Sequence, residues 1–203
     1  MKKSVGLCLL CLIVVAPVAY AETELIPINA YRSSGDFKDI NTGTVLDVDD
    51  ETSYGFIVQF DTEPNAQYEF LYSEQSSQLR AGVTLPTTVL FDIDITYIHA
   101  GGNKSFPIND STSSYLGAGL GITRFDPDLS GYTTESKFSF NISGGIKKML
   151  SKSIGLRAGL SFYATPVNSS SSIFCGNDSG CTVRFKGDFF TQYDASVGLV
   201  IRF

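Results

Sequence analysis

The chain holds one histidine, His99, and so one place to look for general-base chemistry. A hydrolase would need that imidazole beside a serine nucleophile and an acid. His99 stands in "TYIHAGG", with Gly101 next on its own side and no serine set against it. It reads as an interfacial histidine at the end of an element, near the inner rim and below Tyr97. Gly117, Gly119 and Gly121 invite a phosphate-cradling loop, which needs a strand, a tight turn and a helix behind it. They fall instead at period two, the spacing of one face of a strand. The acidic run "DVDDE", Asp47 to Glu51, lacks the aspartate spacing and glycine of a calcium loop and reads as solvated. Cys175 and Cys181 are too few for a zinc site. No catalytic, cofactor-binding or metal-binding set emerges, and the expectation is a protein that is not an enzyme.

The elements that would have to position any such residue are strands. "SYGFIVQF" puts Tyr54, Phe56, Val58 and Phe60 on one face, and "AQYEFLYS" does the same with Tyr68, Phe70 and Tyr72 against Gln67 and Glu69. In "VLFDIDITYIHA" the apolar set is Phe91, Ile93, Ile95 and Tyr97, and the polar set is Asp92, Asp94 and Thr96. Similar alternation runs through "YLGAGLGIT", "KFSFNISGGIK" and "IGLRAGLSFYA" and through the closing "YDASVGLVIRF"; a weaker opening stretch, Ile26 to Arg32, brings the segments to eight. Period two over short segments is the signature of half-buried strands.

The opening residues are of another kind. Lys2 and Lys3 precede an apolar run, Val5 to Val18, and the small residues of "AYA" at 19–21. This has the form of an export leader cleaved after Ala21, leaving one domain over 22–203. The leader carries two of the 15 basic residues and none of the 21 acidic ones, so the mature chain holds 13 against 21, a formal charge of −8. Such a chain repels nucleic acid. Export also exposes Cys175 and Cys181 to an oxidising compartment, where a disulfide between them would order a surface loop.

Alternation alone does not separate a soluble sandwich from a barrel. Charge placement does. The polar faces are rich in Gly, Ser and Asn with a few single charges, which suits the cramped interior of a closed eight-stranded sheet. The other faces are aliphatic or aromatic for about ten residues per strand, as an apolar membrane band requires. The connections also alternate: "EPNA", "PINDST" and "SKS" are short, whereas the others run up to "PVNSSSSIFCGNDSGCTVRFKG". Short turns on the inner side and long loops outside fit a membrane barrel.

With the terminal pattern Tyr193, Val197, Leu199, Ile201 and Phe203, and with "YIHAGG" and "YLGAGLGITRF", the chain resembles the eight-stranded outer-membrane β-barrel proteins of Gram-negative bacteria. That superfamily includes the OmpA membrane domain and OmpX-like, OmpW-like and opacity-type proteins. The resemblance implies an all-β, up-and-down antiparallel barrel, exported through the periplasm to the outer membrane. It implies outer-membrane lipid and lipopolysaccharide as surroundings, assembly machinery and periplasmic chaperones as partners in biogenesis, and a monomer. The five terminal residues would be the assembly signal.

The fold hosts surface-interaction proteins, small channels and lipid enzymes alike. The interior separates them. Inward-facing acids are expected at Asp61, Glu69, Asp92 and Asp94, and inward-facing bases at Lys147, Arg157 and Arg202. Glu69 and Arg157 would meet across the axis, at the centre of a network that plugs the pore. The leading expectation is therefore a structural or surface-interaction barrel; a narrow channel or small-solute conduit comes second, and a lipid-modifying enzyme third.

Overall fold

In the computed structural model, residues 22–35, 37–38, 45–81, 88–129, 133–167, 172–176, 180–184 and 189–203 are described. Residues 1–21, where the sequence suggests an export leader, lie outside them. Among the described residues every regular element is a strand: β1 (Thr23–Ser34), β2 (Phe37–Lys38), β3 (Val45–Val48), β4 (Glu51–Glu63), β5 (Ala66–Ala81), β6 (Thr88–Asn109), β7 (Thr112–Pro127), β8 (Glu135–Met149), β9 (Ile154–Pro166), β10 (Ser172–Gly176), β11 (Gly180–Arg184) and β12 (Phe189–Arg202).

Eight of these close a ring in the order β1, β4, β5, β6, β7, β8, β9, β12, with every neighbouring pair antiparallel and β12 returning to β1. Closure removes the free edges that lipid does not tolerate. The register also fixes the stagger. From Thr96 it passes through Glu74, Tyr54, Asn29, Val197, Ala158, Ile146 and Ser114, and it regains β6 at Phe106, ten residues along. For eight strands this means a tilt of roughly 40° and an interior that side chains can fill.

The three inner turns are short. β4 and β5 are joined by Pro64 and Asn65, whose φ of 66° is one that asparagine tolerates. At the other end β2 and β3 carry the β1–β4 hairpin outward, with β3 pairing onto β5 from Leu46 to Val48. The long loop after β9 folds as a separate hairpin of β10 and β11.

The faces follow the alternation on most strands. Phe138, Ile142 and Ile146 of β8 and Leu156 and Leu160 of β9 are exposed, while Asn141, Ser143, Lys147 and Arg157 are buried inside. Strand β6 is a correction. Phe91, Ile93, Ile95 and Tyr97 point inward, and Asp92 and Asp94 lie on the outer face. The lumen is polar only over its lower part. Toward the outer mouth it is filled by Leu46, Val48, Leu79, Phe91, Ile93, Phe125, Val167 and Phe190. Where the barrel rises past the bilayer, water lies outside and the apolar side chains must turn in, so the polarity of the two faces inverts.

Candidate functional site

The buried polar groups stack in three levels up the lumen. At the inner mouth, Glu24 from β1 is fully buried and accepts from Lys147 Nζ at 2.9 Å and from Arg202 Nη2 at 2.7 Å. Lys147 comes from β8, nearly across the ring, and Arg202 from the adjoining β12. Gln67 extends the group, donating to Asp61 at 2.6 Å and facing Lys147 Nζ at 3.4 Å. Below them opens a vestibule of about 180 Å³ lined by Asp61, Lys147 and Arg202.

At the next level Arg157 Nη1 lies 3.1 Å from Glu69 Oε2, with both side chains under one-tenth exposed. The two come from β9 and β5, which face each other across the axis. The same carboxylate oxygen accepts from Gln59 Nε2 at 2.6 Å and Asn103 Nδ2 at 3.1 Å, and the guanidinium lies 4.0 Å over the Tyr115 ring. Gly145 and Gly159 make room for Tyr115: a Cβ on either would collide with its hydroxyl. Among the described residues a void of about 10 Å³ lies at this level, room for one water at most.

The third level is centred on Arg32 and Asp194, a direct cross-strand pair of β1 and β12. Arg32 donates to both carboxylate oxygens, at 2.7 and 3.0 Å, and to Ser73 Oγ at 2.6 Å. Its guanidinium lies 4.9 Å from the Tyr97 ring and 5.1 Å from the Tyr163 ring, and those rings stack at 4.3 Å. Tyr97 donates to Gln192 at 2.8 Å, and Gln192 donates to Gln75 at 2.9 Å, so the barrel is spanned again. A buried charge is tolerable only with such close pairing and extra hydrogen bonds.

Of the residues named from sequence for a lumen network, Asp61, Glu69, Lys147, Arg157 and Arg202 lie in this stack, and Asp92 and Asp94 do not. Asp92 instead accepts from Gln78 Nε2 at 2.9 Å on the outer face. Glu24 and Arg32 were not foreseen. The signal was present, because both fall at even positions with Ile26 and Ile28, but Pro27 and Asn29 on the other face weaken the alternation of β1. His99 is also corrected. It is buried in mid-lumen rather than at a rim, and Ser139 Oγ lies 2.7 Å from its Nε2. Its Nδ1 has no partner among the described residues. The acidic run belongs to β3, β4 and the bend between them, where Asp49 pairs with Arg80 at 2.6 Å. Backbone register sets Cys175 opposite Cys181, while their side chains lie outside the described residues.

A ring of eight antiparallel strands, apolar outside and carrying paired charges inside, has a counterpart at the level of sequence. Residues 7–203 match the family model described as "Outer membrane protein beta-barrel domain". The chain belongs to the outer membrane β-barrel family. Solved structures agree in fold. Neisserial surface protein A matches with a TM-score of 0.59 at 16% identity, over 90% of this chain and 97% of that one. OprG from Pseudomonas aeruginosa matches at 0.58 and 17%, over 90% and 95%, and AlkL, solved in lipid bilayers, at 0.57 and 12%, over 90% of each. A search of curated proteins found no match. The barrel therefore resides in the Gram-negative outer membrane.

Proposed function

We propose that this barrel is a closed structural and surface-interaction protein, acting through the loops at its outer mouth. The observation that carries the reading is the Glu69–Arg157 pair across the axis, backed by Gln59, Asn103 and Tyr115, with a void of only about 10 Å³ beside it. An open aqueous pore would hydrate these charges singly. The apolar fill above the pair adds a second seal. An enzyme is disfavoured because His99 and Ser139 are buried together without an acid on Nδ1 among the described residues.

Planar-bilayer recording of the refolded protein tests this. The unmodified barrel should show no steady conductance, and Arg157→Ala, which leaves Glu69 unpaired, should raise ion leakage. A steady conductance, unchanged by that substitution, moves a narrow channel to first place.

A further inference from the structure

Polar residues interrupt the outer wall at Glu74 of β5, which accepts from the Tyr72 hydroxyl at 2.6 Å, and on β1. The outward residues of this strand include Pro27 and Asn29, both exposed. Asn29 is six residues above Thr23, where the strand begins, or roughly 15 Å along the membrane normal for strands tilted about 40°. That is the middle of the apolar band. Its register neighbours, Tyr54 and Val197, are exposed apolar residues, and no hydrogen bond reaches its side chain from the described residues.

The backbone is interrupted at the same place. The β1–β12 ladder pairs Glu24 with Arg202 and Leu25 with Ile201, passes over Ile26 and Pro27, and resumes at Ile28 with Gly198. The β1–β4 ladder continues unbroken through Pro27 and Phe56. Proline has no N–H to give, so the seam loses hydrogen bonding where no water can replace it. A free amide and a gap in the ladder thus share one lipid-facing patch, and polar groups at this depth need a protein partner.

We propose that this patch is the contact for a second copy of the chain. A primary amide carries both donor and acceptor, so Asn29 is self-complementary about a two-fold axis along the membrane normal, the symmetry of an isologous dimer. The two tilted β1 strands cross at Asn29, with the exposed Tyr31 and Tyr54 flanking the contact. The contact goes beyond the proposed function and replaces the expected monomer with a weak dimer. It leaves each lumen closed.

The test uses the full chain in outer membranes, with Cys175 and Cys181 replaced by serine so that only new thiols react. Asn29→Cys, or Val197→Cys beside it, should form disulfide-linked dimers on oxidation. Leu120→Cys, 60% exposed on the opposite strand β7, should form several-fold fewer. In lipid vesicles, energy transfer between labelled copies should show association weakened about three- to tenfold by Asn29→Leu, the loss expected for one interchain hydrogen bond in a membrane. That variant suits the apolar band and should keep the gel mobility of a folded barrel. Equal cross-linking at Leu120, adducts to other proteins in place of dimers, or undiminished association of Asn29→Leu overturns the proposal.

Discussion

Arg32 is wholly buried and still charged, because every direction it faces is occupied by a group that favours a cation: two carboxylate oxygens of Asp194, the Ser73 hydroxyl and two aromatic rings. Removing one member of such a pair strands the other in a medium that solvates it poorly. Arg32→Met should therefore lower stability by about 3 to 5 kcal/mol, whereas adding Asp194→Leu should recover most of the loss. The chain has no tryptophan, so urea unfolding in vesicles is best followed by circular dichroism or by the gel shift between folded and unfolded forms. A double variant as unstable as the single one would show that Asp194 is held by other partners.

Among the elements, β6 is the instructive one. At 22 residues it is the longest strand, and it crosses from lipid into water, so one alternation serves two environments. Asp94→Cys should be labelled on intact cells by a membrane-impermeant maleimide, and Ile95→Cys, fully buried, should resist labelling. The inner strands β7, β8 and β9 depend on small residues. Gly159 leaves the space that the Tyr115 hydroxyl occupies, and Gly159→Val should cost about 1 to 3 kcal/mol through overpacking, measured by the same unfolding assay. In the outer hairpin, direct register of Cys175 with Cys181 suits the short separation a disulfide needs. Alkylation without reductant should find no free thiol there, and reduction should leave the barrel folded because the ring does not include β10 or β11.

At the scale of the molecule, the decisive event is the meeting of β1 and β12, strands separated by most of the chain. Phe203 N donates to Thr23 O at 2.9 Å beside the Arg202–Glu24 ion pair, so the last residues bind the first ones at the inner rim. The terminal row Tyr193, Val197, Leu199, Ile201 and Phe203 lies on the outer wall. Phe203→Asp should lower the amount of folded protein in the outer membrane, read by immunoblot of fractionated cells. Unchanged levels would leave the terminal aromatic with no part in assembly.

Strands, their number and the short inner turns were legible because each is a local property: period two in "KFSFNISGGIK" and turn residues such as "EPNA" need no distant partner. The inward set Glu69, Lys147, Arg157 and Arg202 was legible for the same reason, since alternation assigns faces. Height and environment are not local. The same alternating pattern in β6 was assigned to the wrong faces because nothing in "FDIDITY" says where the bilayer ends. Glu24 and Arg32 escaped notice in a strand blurred by Pro27 and Asn29, and their partners stand 123 and 162 residues away. His99 was placed at a rim and Ser139 was not linked to it, because the two meet only when β6 and β8 curve around the glycines of β7. The amino-acid sequence by itself determined that the chain forms alternating strands able to close in a membrane. Closure and stagger, which set every cross-lumen distance, decided which charges meet and where the lumen turns apolar.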